Sequence, residues 1–357
     1  HPVVVAPWKD IWGTEPPKVP QIANYNDSMG TFTMEDVYIG EGMKGVVRGT
    51  AKTLRVITLK YRVSGGCDQG YAGMVQGSKP SDVIFSAPNI NPPSLWGGSW
   101  DVKEVLGEAK IHADGSASFK VPARTPVYFQ VLDSNGLSIA SMRSWSTLMP
   151  GETYSCVGCH ESKNQAPAVG NIALAGEAKP LETPLGIENQ GFDYPTFVQP
   201  ILDKHCVSCH KGNHSSGLDL TGDLVYNWSA KKSFAKSYIS LMRGLGRSTS
   251  NKAISLASIF SQAPQMPPYS FGSTQSGMIK VMRDDQDANH KDIKLTDKEL
   301  KILACWIDLE APHSGSYDSY MSQRDAQRYK QLEADAQKWY DIEAQNIKEL
   351  AAQQQTV

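Results

Sequence analysis

Cys156-Val157-Gly158-Cys159-His160 and Cys206-Val207-Ser208-Cys209-His210 are two copies of C-x-x-C-H. The spacing lets two thiols reach the two vinyl groups of one porphyrin, while the following imidazole turns back onto the iron. Together the copies use four of the chain's six cysteines, which speaks against a chance match or a zinc site. The expectation is two covalently bound haem c groups, one on Cys156, Cys159 and His160 and the other on Cys206, Cys209 and His210.

The sixth position on the second iron has two candidates. Met266 stands in Gln265-Met266-Pro267-Pro268, a setting that supplies the thioether in small cytochromes c, and His290 stands just ahead of a predicted helix. Methionine would raise the reduction potential and histidine would leave it low; residue chemistry leaves both open. No Met-Pro or His stands at an obvious distance from the first motif. That iron either keeps an open position, where small molecules bind and react, or is closed by a residue the pattern does not reveal. His205 is expected at the haem edge, bonded to a propionate or to backbone. His112, His214 and His313 are expected on the surface. A free N-terminal His1 can chelate a metal through amine and ring, though a trimmed terminus explains it more simply. Cys67 and Cys305 are left to form a disulfide, to stay as buried thiols or, for Cys67, to bind a metal.

A net charge of −2 argues against a nucleic-acid partner, which would want a basic face. At 357 residues and 40% hydrophobic content the chain can build cores for two or three domains. No apolar run reaches the length of a transmembrane segment. The chain opens on His1-Pro2 without a signal pattern, as expected where an export signal has been removed. Thioether attachment takes place outside the cytoplasm, so a periplasmic or extracellular location is expected.

The elements that must position these residues read as an α+β multidomain chain. Residues 1–45, rich in Pro, Gly and Asn, read as an irregular arm. Residues 46–164 read as a β-rich haem domain with an antiparallel meander: strands over 53–63, 117–121, 127–132 and 137–142, and a short one at 83–85 within a Gly/Ser/Pro-rich loop. Residues 165–190 read as a linker. Residues 191–315 read as a helical cytochrome c domain, with a helix over 194–204 entering the second motif. A second helix over 295–309 is opened by a Thr296/Glu299 capping box. Residues 316–357 form a long polar C-terminal helix suited to a light packing contact or a partner.

A resemblance to a known family adds to this reading. The stretch Asp114–Gln130, continuing through Met142-Arg143-Ser144-Trp145-Ser146-Thr147 to Ser155–Glu161, resembles the middle domain of the hydrazine synthase alpha subunit. Pro200–Cys206, Met266–Ser273 and Cys305–Leu309 resemble its C-terminal cytochrome domain, with related stretches in planctomycete-type dihaem cytochromes. The resemblance implies bis-histidine ligation of the second haem, with His290 in the distal place. It also implies a catalytic first haem whose motif His, here His160, turns toward zinc while a Tyr four residues later binds the iron. That position is Asn164 in this sequence, which cannot replace a phenolate. The family's amino-terminal propeller has no counterpart in the sequence. Both departures count against hydrazine synthesis itself, and an additional metal near the first haem stays an implication of the resemblance.

The combined expectation is an extracytoplasmic dihaem c-type cytochrome that transfers electrons to a redox partner, within a larger complex or as a homo-oligomer. The alternative is a haem enzyme, an oxidoreductase acting on a small nitrogen compound or peroxide at the first haem.

Overall fold

The computed structural model describes residues 9–10, 13, 27–63, 93–95, 97–159, 174–212, 214–228, 230–243, 253–257 and 266–354. His1, Cys67, the short strand expected at 83–85, His160 and Asn164 lie outside the described residues.

Seven strands build two sheets. The first sheet has the order β4 (Ala117–Pro122), β1 (Met29–Met34), β7 (Thr153–Cys156); the second runs β3 (Val102–Lys110), β2 (Thr53–Lys60), β5 (Val127–Leu132), β6 (Ser138–Ser141). β1 corrects the irregular arm expected through residue 45. Phe32 and Met34 alternate inward and pair across from Phe119 and Ala117 on β4, so tertiary pairing overrides the loop-like composition around them. β7 adds to β1 in parallel, with Met34 opposite Cys156, where an all-antiparallel domain was expected. The long chain path between the two strands permits this, since parallel neighbours need a crossover rather than a tight turn.

The second sheet is buried on both faces along β5, all six of whose residues are buried, Gln130 among them. Alternation sorts its residues. Val127, Phe129 and Val131 join Leu54 and Val56 in the core between the sheets, while Tyr128 joins Ile57, Val105 and Leu137 in a second core shared with the helices. Between the sheets Phe129 meets Phe32 and Phe119 edge-on, at 5.1 and 5.5 Å between ring centres. Such pairs contribute about 0.5–1.5 kcal/mol beyond the area they bury.

Part of the segment read as a linker, together with Gly191 just past its end, lies along this framework. Lys179, Glu182 and Gly191 form bridges to Phe119, Glu108 and Glu104, satisfying edge groups of β3 and β4 that would otherwise face water.

The second half is mainly helical: α1 (Tyr194–Phe197), α2 (Gln199–His205), α3 (Lys236–Met242), α4 (Gly277–Arg283), α5 (Asp297–Asp308) and α6 (Gln323–Gln354), with a hairpin of β8 (Leu224–Asn227) and β9 (Lys232–Ala235) between α2 and α3. The single helix expected over 194–204 is two. Asp193 caps the first by accepting from the Thr196 N–H at 3.1 Å, and Pro200 sits in the first turn of the second, where its missing N–H costs nothing. α5 starts as its sequence predicts: Thr296 Oγ1 accepts from Glu299 N–H while the Glu299 carboxylate accepts from Thr296 N–H. Trp306 is wholly buried, its indole N–H donating to Pro312 O at 2.9 Å. α6 docks through Tyr329 against Tyr317, whereas Trp339 and Tyr340 farther along are exposed.

Polar contacts join the halves. Gln130 Nε2 donates to Asp308 O at 2.6 Å, and Ser273 Oγ donates to Asp308 Oδ2 at 2.8 Å while accepting from Ser138 N–H at 3.1 Å. Burial pushes the Asp308 carboxyl up to about 6, since the charged form loses hydration that these bonds only partly replace.

Candidate functional site

α2 runs directly into the second motif. Cys206 N–H donates to Leu202 O at 2.8 Å, Cys209 N–H to Cys206 O at 3.2 Å and His210 N–H to Cys206 O at 2.9 Å. Cys206, Cys209 and His210 therefore leave one short coil that continues the helix. Cys206 and Val207 pack on the helical core, beside Phe197, Leu218, Met278 and Leu300 on the same cluster. Burial pushes the Cys206 thiol up to about 11; Cys209 is exposed. α5 is tied across the coil by Glu299, whose carboxylate takes Lys204 Nζ at 2.9 Å and lies 3.3 Å from His205 Nε2. The Lys204 bond above all holds the Glu299 carboxyl down to about 2. His205 thus has a side-chain carboxylate within reach of one ring nitrogen.

The structure brings His210 and His290 together: their ring centres lie 6.1 Å apart and their planes differ by 6°. Two imidazoles bound through Nε2 to one metal, each at about 2 Å, leave ring centres roughly 6 Å apart. The hydrogen bonds assign the protons in the same sense. Asp287 Oδ1 lies 2.8 Å from His290 Nδ1, and a carboxylate can only accept, so Nδ1 carries a proton and, in the neutral ring, Nε2 keeps the lone pair. On the other ring, Ser216 Oγ lies 3.2 Å from His210 Nδ1 and 2.8 Å from His214 Nδ1. His214 Nδ1 already accepts from the Ser216 backbone N–H at 3.1 Å. The serine hydroxyl then donates to His214 and accepts from His210, which again leaves Nε2 as the free nitrogen. Burial first, then the neighbouring His214 and His290 rings, hold His210 below the ordinary imidazole value, and a neutral imidazole is the form that binds a metal. These residues fit a haem iron held between two histidines.

Met266 is partly buried on a loop that runs to Tyr269, whose N–H donates to Ile139 O on β6 at 2.8 Å. That contact ties the loop to the β-domain. Tyr269 itself adopts φ 59°.

The first motif leaves the end of β7. Its backbone is clamped by the chain before β2: Glu35 N–H donates to Cys156 O at 2.8 Å, Asp36 N–H to Val157 O at 3.1 Å and Gly42 N–H to Cys159 O at 3.2 Å. The approach is close enough that a Cβ on Gly42 would lie 2.7 Å from Cys159 Sγ, and one on Gly158 would collide with Ile39 O. Cys156 and Cys159 pack against the sheet core with Tyr38 and Tyr269. Among the described residues no three His, Cys, Asp or Glu gather as metal ligands.

One further histidine differs from expectation. His313, expected on the surface, is fully buried in a box of Tyr194, Phe234, Tyr238 and Tyr320 rings and accepts from Ala235 N–H through Nε2 at 3.1 Å; burial drives it well below the ordinary imidazole value. His214, expected on the surface, is partly exposed and packs 4.3 Å from His210. Cys305 is a buried thiol pushed up to about 12 by desolvation, which agrees with the plainest of its expected roles. No disulfide joins any of the described cysteines. Asp287 and Ser216 have no periodic or motif signal; the only hint in sequence is a polar turn residue at short range from a candidate ligand.

A family model described as the hydrazine synthase alpha subunit middle domain matches residues 49–161. The hydrazine synthase subunit alpha of Kuenenia stuttgartiensis is 21% identical over 292 residues, covering 62% of this chain and 34% of that protein. A solved structure of Kuenenia stuttgartiensis hydrazine synthase superposes with a TM-score of 0.57 at 19% identity, covering 85% of this chain and 45% of that one. The chain thus spans about a third of the curated relative and under half of the solved one, and the likeness of structure establishes the mixed α+β fold. No helix among the described residues is long and apolar enough to cross a membrane.

Proposed function

We propose that this hydrazine synthase alpha-like chain is a dihaem c-type cytochrome that passes electrons outside the cytoplasm, as part of a larger redox assembly. The observation that carries the reading is the parallel His210–His290 pair with both Nδ1 atoms turned to outer partners. When bound, haem supplies reversible one-electron chemistry. Cys206 and Cys209 would hold the second group through thioethers, and His210 and His290 would bind its iron. The helical core that includes Leu202, Leu303 and Trp306, on which Cys206 and Val207 pack, would keep water out and the polarity low, one of the levers that sets a potential. Cys156 and Cys159 would hold the first group, with His160 as the expected proximal ligand. Two saturated irons would make the chain a relay. Intact-mass measurement of the exported protein should show two covalent haems, and reduced protein should leave the second haem unreactive toward CO. One haem only, or CO binding at the second, would overturn the reading.

A second reading is supported by where the family model falls: its match ends on the first motif. An open first iron would make the chain an oxidoreductase acting on a small nitrogen compound or peroxide. CO or NO binding confined to the first haem would favour it over the relay; no binding at either haem would exclude it.

A further inference from the structure

We propose that Asp287 is a positioning residue for the second haem: its carboxylate fixes the tautomer and aim of His290 and, through that ring, favours ferric over ferrous iron. The inference rests on the His210–His290 reading above.

The geometry is specific to one carboxylate. Asp287 Oδ1 accepts from His290 Nδ1 at 2.8 Å and from the backbone N–H groups of Asn289 and His290 at 3.0 Å each. The backbone bonds hold the carboxylate in place, so it cannot swing off the ring without undoing the turn. The two acids just before it are engaged elsewhere: Asp284 Oδ1 takes the Gln286 N–H at 2.9 Å, and Asp285 pairs with Lys294 at 2.9 Å.

An anion on Nδ1–H makes the imidazole a stronger donor at Nε2, the arrangement by which outer carboxylates tune metal-bound histidines. Ferric iron carries one more positive charge than ferrous and gains more from that donation. The opposite ligand is treated differently. His210 Nδ1 meets a neutral hydroxyl, Ser216 Oγ, at 3.2 Å, and that hydroxyl is shared with His214. Two ligands of one residue type are thus held by partners of different charge, and the carboxylate side sets the bias. Asp287 and His290 are about a quarter exposed, 27% and 24% at their side chains, so solvent screens distant charges on the loop while the direct bond persists.

The test is a potentiometric titration of the full haem-loaded chain, with low-temperature EPR of the oxidised form, for the unaltered protein, Asp287→Asn, Asp284→Asn and Asp287→Glu. Asparagine keeps an oxygen for the two backbone N–H groups and removes only the charge. At fixed potential, Asp287→Asn should shift the second haem toward the ferrous form about tenfold, equivalent to about 59 mV for one electron, and should move its low-spin g-values. Asp284→Asn loses the same charge without touching the ring and should shift the ratio less than threefold. Asp287→Glu should recover at least half of the effect. If the asparagine variant does not fold, Asp287→Ser replaces it with the same expectation. Equal shifts in the Asp287 and Asp284 variants, with unmoved g-values, overturn this proposal alone. Absence of a bis-imidazole low-spin signal from the unaltered protein overturns both the proposal and the reading beneath it.

Discussion

One five-residue pattern is mounted on two unlike scaffolds. At the second motif the residues leave a helical coil, and both candidate imidazoles are steadied from outside, His290 by Asp287 and His210 by Ser216. At the first, Cys156 ends a strand, and the turn through Cys159 is clamped by backbone bonds from Glu35, Asp36 and Gly42. The coil after α2 and the loop before α5 bring their side chains to one place, so ligation there would be steered by side-chain hydrogen bonds. The strand fixes the backbone of its motif tightly. What would face an iron at the first motif is then decided by elements packed across from it, including the turn at Ile39–Met43 and Tyr269 from the other half. A shared motif therefore specifies attachment, and the scaffold specifies what the attached group can do.

The comparison can be broken at one site while sparing the other. The largest effect is expected from His290→Ala. It should convert the second haem from low-spin to high-spin in the oxidised EPR spectrum and open it to CO after reduction, leaving the first haem's signals in place. Met266→Ala should leave the second haem low-spin; a high-spin conversion there instead would assign the ligand to the thioether.

Next in size is a pH effect at the seam between the halves. Glu310 is half-buried just past α5, with one carboxylate oxygen shut off from solvent; this burial above all pushes its carboxyl up to about 8, against the Ala257 N–H and the charges of Lys103 and Arg143. The folded state holds this proton more tightly than the unfolded chain, whose value is 4.5. Its contribution is therefore full below about pH 4.5 and is lost as pH rises through about 8. Asp308 acts in the same sense, with its carboxyl at about 6, and buried Lys232, lowered to about 7, acts in the opposite sense at higher pH. Glu310→Gln isolates the one group. Denaturant unfolding should show the unaltered protein losing, relative to this variant, on the order of a few kcal/mol between pH 5 and 8.5. Parallel pH profiles for the two proteins would remove Glu310 from the account.

A smaller effect is expected at the first motif. Gly42→Ala places a methyl 2.7 Å from Cys159 Sγ, an overpacking that costs about 1–3 kcal/mol. The thermal midpoint should fall, and intact mass should show haem lost from the first motif with the second still loaded. Unchanged loading at both would mean the turn can yield.

Much of the scaffold was legible in the sequence because local pattern and tertiary need agree there. Val127–Leu132 is the strand its residues predict, and the Thr296/Glu299 box opens α5 where expected. β3 escaped notice because Lys103, Glu104, Gly107 and Glu108 dilute its apolar residues, and a bulge opposite Val56 and Ile57 breaks the alternation. β1 was hidden by its Pro- and Gly-rich surroundings. At the site, Cys206, Cys209 and His210 could be picked out by residue type and spacing, whereas His290 stood level with Met266 until the family resemblance favoured it. Asp287, Ser216 and His214 could not, because their roles come from hydrogen bonds closed by the fold. His313 misled for a related reason: nothing local announces that four aromatic rings will enclose it.

The central claim is that the second haem is held between His210 and His290. Its most direct test is low-temperature EPR of the oxidised Cys156→Ser/Cys159→Ser double variant, which retains only the second attachment site. The account predicts a single low-spin ferric signal of the bis-imidazole type that is lost on adding His290→Ala. A high-spin signal, or a low-spin signal that survives the His290 substitution, would contradict it.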